Sequence, residues 1–300
     1  MHDIIVIGGG PAGLTAALYA LRGGKSVLII EKSAFGGQIT LSPLLENYPG
    51  FSAISGSEFA DKLVEQVLAL GADVELDTVT GISDSGEYKT VICEGGEFRS
   101  RAIIVAAGAR HRSLGLPREA ELTGSGISYC AVCDGAFFRG MRVAVNGGGN
   151  TALQDAMMLS ELCEKVYLIH RRDTLRGERK LEEALRRREN VEFLLERQIT
   201  GFVGENSLRA IELSGPEGSE TLEVDGLFIA IGYEPENSAF ASLVALDEWG
   251  YAAAGEDCRT PCPGVFVAGD CRSKAVRQVT TAVGDGAVAA LAACEYLDEL

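Results

Sequence analysis

The chain opens on Asp3-Ile-Ile-Val-Ile-Gly-Gly-Gly-Pro-Ala-Gly13, an apolar β pattern that breaks into glycines, and an Ala/Leu-rich helical pattern follows over residues 14–22. The stretch predicts a strand, a tight turn and a helix. Its G-x-G-x-x-G spacing has a mechanical meaning. The first glycine permits the turn, the second lets backbone approach a pyrophosphate, and the third lets the helix pack on the strand. The helix N-terminus then faces the phosphates. The residues predicted to bind here are Gly8, Gly10, Pro11, Ala12 and Gly13.

A carboxylate follows at the expected distance. The apolar strand pattern of residues 26–30 ends in Glu31, close to the roughly 20-residue spacing at which an acid bonds ribose hydroxyls. The alternative is an ordinary strand-to-helix turn, and the combination of strand, helix, second strand and acid argues against it. Because Lys32 is the only basic residue next to Glu31, the site favours an unphosphorylated adenosine ribose, as in FAD or NAD.

Three further segments are candidates for the same site. Residues 35–50 are predicted as a loop from their Gly and Pro content, and their polar side chains could bond a ring or a ribitol, or be plain loop residues. The β pattern of residues 102–105 ends in a small-residue turn that lets backbone come close to a cofactor. The β pattern of residues 265–267 ends in Gly-Asp before the final helix, whose N-terminus could face a flavin. The residues predicted to bind here are Gly37, Gln38, Asn47, Gly108, Asp270, Arg277, Gln278 and Val279.

The strand–glycine–helix pattern then occurs a second time. A β pattern at residues 141–145 leads into a G-x-G-x-x-A turn, a helix over residues 153–162 and a strand over residues 166–169. Where the first copy has an acid, the second has basic residues, and a 2'-phosphate requires cations where a 2'-hydroxyl requires a carboxylate. The second copy therefore predicts an NADPH site; the alternative is a solvated basic face. Its predicted residues are Gly147, Gly149, Asn150, Thr151, His170, Arg171, Arg172 and Arg176.

Cys130 and Cys133 lie between the two turns and are followed at once by Asp134. A disulfide between such a pair can exchange with a partner dithiol. Two buried thiols or half of a zinc site are the alternatives. Zinc needs a second ligand pair, and the candidates are poor: Cys258 and Cys262 have Pro261 between them and no histidine close in sequence. Redox activity is the favoured interpretation, and no metal is predicted.

Composition sets the broad class. A chain of 300 residues predicts two domains, and 46% hydrophobic residues can fill both cores. A net charge of −16 disfavours nonspecific contact with nucleic acid or anionic membrane. No apolar run reaches the roughly 18 to 20 residues of a membrane span. Eight irregularly spaced cysteines do not resemble a secreted disulfide framework, so a cytoplasmic protein is expected.

Taken together and in this order, the motifs resemble the low-molecular-weight, bacterial-type thioredoxin reductases over the full length of the chain. The resemblance implies an α/β protein with two Rossmann-like, three-layer ββα-type dinucleotide-binding domains, the second inserted into the first. It implies an FAD-binding domain at residues 1–113 and 246–300 and an NADPH-binding domain at residues 114–245 that carries the cysteine pair. It also implies a homodimer.

The resemblance further implies a route for electrons from NADPH through FAD and the cysteine pair to the disulfide of thioredoxin or a thioredoxin-like protein. In similar enzymes the residue at Cys133 faces the flavin, the one at Cys130 attacks thioredoxin, and the one at Asp134 is the acid. Most relatives have Thr where Val132 stands, and often where Ala107 stands, so the redox potential and the flavin environment are expected to differ. The alternatives are a flavin-dependent dithiol oxidase and a noncatalytic flavin redox sensor.

Overall fold

Two predominantly parallel sheets organise the chain in the computed structural model, which describes residues 1–300. The strands are β1 His2–Ile7, β2 Val27–Glu31, β3 Asp73–Leu76, β4 Val79–Asp84, β5 Lys89–Cys93, β6 Glu97–Val105, β7 Ala109–His111, β8 Ile127–Ser128, β9 Arg142–Asn146, β10 Lys165–His170, β11 Val191–Leu195, β12 Gln198–Val203, β13 Ala210–Gly215, β14 Gly218–Glu223, β15 Gly226–Ile229, β16 Tyr233–Pro235 and β17 Val265–Val267. The α-helices are α1 Pro11–Arg22, α2 Gly56–Ala69, α3 Glu119–Leu122, α4 Ala131–Asp134, α5 Asn150–Leu162, α6 Arg179–Leu185 and α7 Val279–Asp298. None of the helices has the length and apolar character that crossing a bilayer requires.

The first sheet has the order β3-β2-β1-β6. The two halves of β6 then pair with different strands. The carboxyl half pairs in parallel with β17, and the amino half pairs antiparallel with β5, which continues to β4. β1 lies at the centre, where Ile5 pairs with Leu28 on one side and Ile103 on the other. The carboxyl ends of β1, β6 and β17 therefore meet at one edge, where ligands bind in open parallel sheets.

Both faces of this sheet are covered. Ile4 and Val6 of β1 point into a core shared with α1 and α7, and the alternate residues Ile5 and Ile7 pack into a second core on the opposite face. This is the period of two that a β-strand imposes, and residues 4–7 are all apolar because neither face meets water there. The strand is readable in the sequence because these four residues form an uninterrupted apolar run.

The second sheet has the order β11-β10-β9-β15-β8 and is parallel throughout. Val143 and Val145 of β9 pack against α5, whereas Ala144 between them packs towards the antiparallel sheet of β12, β13 and β14. This unit therefore has three layers, with a helix, a parallel sheet and an antiparallel sheet stacked in that order.

The chain divides into two compact units, Met1–Arg110 with Glu234–Leu300, and His111–Tyr233. The chain passes between the units along β7 and β16, which pair with each other. Residues 234–245 belong to the first unit, whereas the sequence-based boundary assigns them to the second domain. Phe240 and Val244 explain the difference, because both are buried in the core on the Ile5 face of the first sheet.

Candidate functional site

Cys130 and Cys133 form a disulfide, with their Cα atoms 5.3 Å apart. The pair lies at the start of the short helix α4, where Cys130 is the N-terminal capping residue. The backbone amide of Cys133 donates a hydrogen bond to Cys130 Sγ at 3.2 Å. Both cysteines are half-buried, and Val132 between them is 53% exposed. A sulfur that accepts an amide hydrogen bond is one that can carry negative charge, so this geometry favours Cys130 as the thiolate.

Asp134 follows Cys133 in sequence, and its two carboxyl oxygens have different environments. Ser128 Oγ donates to Asp134 Oδ2 at 2.6 Å, and Asp134 Oδ1 is buried without a partner. The backbone amide of Cys130 in turn donates to Ser128 Oγ at 3.1 Å. Burial raises the pKa of Asp134, and the hydrogen bond from Ser128 opposes that shift. The carboxyl group is thereby suited to hold and deliver a proton beside the sulfurs.

The turn after β1 uses its three glycines in three different ways. A Cβ on Gly8 would lie 2.3 Å from the carbonyl oxygen of Ala106, and one on Gly13 would lie 1.9 Å from that of Gly8. Gly10 has only ordinary contacts near 4 Å, so its open side can admit a ligand. Glu31 is buried, and its Oε2 accepts a hydrogen bond from the Gly9 amide at 2.7 Å. The predicted turn and its acid are thus brought together, with Pro11 and Ala12 opening α1.

Lys32 cannot easily serve a phosphate at this turn because Glu236 engages its ammonium group. Glu236 also pairs with Arg110 at 3.2 Å. The basic residue that follows Glu31 is therefore already neutralised, which favours a ribose without a 2'-phosphate. The sequence contained no signal for this pairing, since the partners are 204 residues apart.

The remaining predicted residues of the first unit lie on segments that converge from far apart in sequence. Gln38 donates to the carbonyl oxygen of Ala109, next to Gly108, and Asn47 donates to Gln278 Oε1 at 3.2 Å. Gln278 caps α7 in a capping box with Thr281, so Val279 is its first residue. Gly37 and Gly108 have positive φ angles of 62° and 70°, which glycine adopts without strain.

Asp270 lies just after β17, and one of its carboxyl oxygens has no hydrogen-bond partner. Its Oδ1 is buried and has no hydrogen-bond partner. Arg277 donates from Nε to the main-chain oxygen of Asp270 at 3.3 Å, and the Arg277 guanidinium lies over the ring of Tyr251. A buried carboxylate oxygen without a donor is an acceptor for the hydroxyl groups of a ligand.

The second turn repeats the construction of the first. A Cβ on Gly147 would lie 2.4 Å from the carbonyl oxygen of Ala230, whereas Gly149 has nothing within 4 Å. Asn150 and Thr151 open α5. His170 is buried and packs under the turn, since a Cβ on Gly148 would lie 2.4 Å from its ring. Burial, and after it the charges of neighbouring arginines, lower the pKa of His170, so the ring is neutral near pH 7.

The positive charge of this second site comes from Arg171, Arg172 and Arg176. All three are exposed, and none forms an ion pair or a side-chain hydrogen bond within the chain. Nine of the seventeen other arginines form an ion pair with an acid in this chain of 43 acidic residues. Three unpaired guanidinium groups at the end of β10 form a site suited to a phosphate.

Comparisons with known proteins show the family to which the chain belongs. Residues 2–286 match the family described as pyridine nucleotide-disulphide oxidoreductase. The chain belongs to this family. This oxidoreductase is 42% identical to the thioredoxin reductase of Listeria innocua, covering 100% of the chain and 95% of the relative, and 40% identical to that of Bacillus subtilis, covering 100% and 96%. The crystal structure of thioredoxin reductase from Streptococcus pyogenes superposes with a TM-score of 0.96 at 38% identity, covering 100% of the chain and 99% of that structure.

The residues of the oxidoreductase fit FAD in the first unit and NADPH in the second. In the first unit, Gly10 and Gly108 leave open space beside the backbone, and Asp270 Oδ1 lacks a donor. In the second unit, Gly149 also leaves open space beside the backbone, and the three arginines are exposed and could contact a phosphate. No group of three or more His, Cys, Asp or Glu side chains is arranged to hold a metal ion.

Ser128 is the functional residue of the oxidoreductase that sequence reasoning missed. Its hydroxyl joins the Cys130 amide to Asp134, and its side chain is buried. A hydroxyl two residues before the first cysteine was the available signal, but Ser is common in turns and carries no specificity by itself.

Proposed function

We propose that this oxidoreductase is an NADPH-dependent thioredoxin reductase, which reduces the disulfide of thioredoxin or a thioredoxin-like protein. The observation that carries the proposal is the half-buried Cys130–Cys133 disulfide with the buried carboxyl group of Asp134 beside it. A disulfide with a purely structural role does not need a neighbouring acid whose pKa is raised by burial, whereas a redox-active one needs a proton donor. The names of the relatives support the same substrate.

Two sets of residues are proposed to hold the cofactors. The Gly8–Gly13 turn, Glu31 and Asp270 would hold FAD, with the other residues predicted for the first site around them. The Gly147–Asn150 turn and the three arginines would hold NADPH by its pyrophosphate and 2'-phosphate. Bound NADPH and FAD would supply the hydride and the electron pair that reduce the Cys130–Cys133 disulfide to a dithiol.

The chain's own chemistry is then a dithiol–disulfide exchange. The Cys130 thiolate, stabilised by the Cys133 amide, attacks the disulfide of thioredoxin and forms a mixed disulfide, which releases one thioredoxin sulfur as a thiolate. Asp134 gives that thiolate its proton. Cys133 then attacks the Cys130 sulfur, which re-forms the enzyme disulfide, and its proton passes to the second thioredoxin sulfur as that sulfur leaves. Two electrons have passed from the enzyme dithiol to thioredoxin, with one proton from Asp134 and one from Cys133.

We also propose that the enzyme is a cytoplasmic homodimer, with FAD bound by the unit Met1–Arg110 and Glu234–Leu300 and NADPH bound by the unit His111–Tyr233. The six cysteines outside the redox pair are free, as a reducing compartment would keep them. Val288 and Leu291, one turn apart on α7, leave exposed apolar surface that a second copy could cover. Light scattering would test the dimer, for which a mass of twice 31.7 kDa is expected.

Stopped-flow spectroscopy of the purified protein tests the function. NADPH should bleach the flavin absorbance, NADH should do so less effectively, and addition of oxidised thioredoxin should restore it. A Cys133→Ser variant should lose thioredoxin reduction. If NADPH leaves the flavin absorbance unchanged, the NADPH assignment is wrong. Flavin that is restored by oxygen as fast as by thioredoxin would favour a dithiol oxidase, and bound flavin without turnover would favour a redox sensor.

A further inference from the structure

Two cations are buried around one carboxylate in the segment between β17 and α7. Arg272 is 2% exposed, the Lys274 side chain 6% and Asp285 7%. Asp285 Oδ1 accepts from Arg272 Nη2 at 3.0 Å, and Asp285 Oδ2 accepts from Lys274 Nζ at 2.9 Å. Asp285 is the only charged residue in the apolar middle of α7, so its burial there is a specific feature of the fold.

Asp270 brings a second carboxyl group to the two buried cations of this cluster. Arg272 and Lys274 contribute two positive charges and Asp285 one negative charge, and a buried surplus charge is costly. Glu256 also contacts Arg272 at 3.3 Å but is exposed to solvent. Asp270 Oδ1, which lacks a hydrogen-bond donor, lies 4.0 Å from Lys274 Nζ. An ionised Asp270 therefore completes the neutralisation.

The same carboxylate also fixes the backbone that carries Asp270. Asp285 Oδ2 accepts a hydrogen bond from the amide of Gly269 at 3.0 Å. Gly269 has a φ of 80°, and a Cβ there would lie 2.8 Å from Ala12 Cβ in the turn after β1. Asp285 thus determines where the residue immediately before Asp270 lies, beside the glycine turn of the first unit.

We propose that Asp285 and Lys274 are positioning residues for FAD, which act through Asp270. Asp285 holds the Gly269–Asp270 turn in place, and Lys274 keeps the Asp270 carboxyl group ionised so that it accepts hydrogen bonds from hydroxyl groups of the flavin's ribityl chain. This inference rests on the FAD assignment made under the proposed function. It adds that α7 contributes to flavin binding through a residue one and a half turns inside the helix.

The charged groups that face the Asp270 carboxyl group determine how FAD binding should depend on pH. They are Lys274 and Arg277 on its own segment and Asp285 on α7. Burial raises the pKa of Asp270, the two cations oppose that shift, and Asp285 adds to it. Removal of the Lys274 charge should therefore raise the pKa of Asp270 further, so that the protonated form, which has lost an acceptor, persists to higher pH.

The test is the rate of FAD release from the holoenzyme, followed by the fluorescence of free flavin. Lys274→Met keeps the Arg272–Asp285 pair and the Gly269 hydrogen bond. We expect it to release FAD roughly tenfold faster than wild type at low pH, and by a factor that falls as the pH rises, because more Asp270 in the variant is then ionised. Lys274→Arg should restore the wild-type pH profile. The control is Glu295→Gln on α7, which removes an exposed ion pair with Arg259 and should leave the rate of FAD release unchanged at every pH.

Two other outcomes decide against the proposal. A Lys274→Met enzyme that releases FAD at the wild-type rate at all pH values overturns it. An increase by the same factor at every pH also overturns it, because that is the behaviour of a merely structural residue. Asp285→Asn keeps an acceptor for Gly269 and removes a charge that raises the pKa of Asp270, so it should not show the excess of FAD release at low pH; such an excess would contradict the proposal. Wild-type protein that binds no FAD would instead refute the proposed function.

Discussion

Asp134 shows how few contacts are needed to prepare a carboxyl group for proton transfer. Burial disfavours its ionised form, and a single hydroxyl, that of Ser128, favours it. Because the pKa is raised, the protonated form persists to higher pH than for an ordinary aspartate. A group that acts as an acid is active below its pKa, so activity that depends on Asp134 is lost as pH rises through that raised pKa.

Ser128→Ala should move this loss of activity to higher pH. The substitution removes the donor that lowers the pKa of Asp134, and one hydrogen bond corresponds to a shift of roughly half to one pH unit. Asp134→Asn should reduce kcat for thioredoxin about a hundredfold and abolish the pH-dependent limb. The measurement is kcat with oxidised thioredoxin as a function of pH. A limb that stays at the same pH in both variants would assign it to another group.

At the scale of elements, the loop between β10 and α6 is tied to the glycine turn before α5. The backbone amides of Arg176 and Gly177 both donate to the Gly148 carbonyl oxygen, at 2.6 and 3.0 Å. Glu178 and Asn150 bond each other in both directions, at 2.7 and 3.2 Å. The backbone of Arg176 is therefore held next to the glycine turn, which is consistent with the proposed 2'-phosphate site.

Arg176→Met should raise the KM for NADPH by roughly 10- to 100-fold, since one charge-assisted hydrogen bond to a phosphate is lost. The KM for NADH should change less than about twofold, because NADH has no group for this side chain. Arg187→Met, an exposed arginine just after α6 whose Nε donates to a backbone oxygen, is the control. Equal effects of Arg176→Met on the two nucleotides would contradict a 2'-phosphate site.

The elements that the sequence predicted well are those buried on both faces or marked by glycines. The strand predicted at residues 166–169 lies within β10, the one at 265–267 coincides with β17, and the helix predicted at 153–162 lies within α5. α2 was missed, although Ser55 caps it by accepting from the Glu58 amide, a Ser-x-x-Glu signature.

The residues of the candidate site also divide into those that the sequence predicted and those that it did not. Motifs of neighbouring residues, such as the two glycine turns and the cysteine pair, were readable because their chemistry is local. The pairing of Lys32 with Glu236 and of Arg272 with Asp285 was not, because it depends on how distant segments fold together. A single acid within an Ala-rich helix, as at Asp285, is the one sequence signal that points to such a partner.

At the scale of the whole molecule, the two glycine turns have separate supports. Each unit has its own apolar cores, and each turn lies against a strand of its own sheet. In both turns, a Cβ added to the first glycine would lie too close to a backbone carbonyl oxygen. That distance is 2.3 Å from Gly8 to Ala106 and 2.4 Å from Gly147 to Ala230. Backbone cannot move aside as a flexible side chain can, so even a methyl group at either position should distort its turn.

Gly8→Ala and Gly147→Ala are therefore a matched pair that tests whether each unit binds its own dinucleotide. Gly8→Ala should reduce bound flavin per chain and leave binding of 2',5'-ADP unchanged, whereas Gly147→Ala should weaken 2',5'-ADP binding at least about tenfold and retain full flavin. Gly284→Ala on α7, where a Cβ has open space, is the control. Flavin absorbance and calorimetric titration provide the two readings. If both ligands were lost together in either variant, the two sites would not be independent, because substitutions in separate units should act additively.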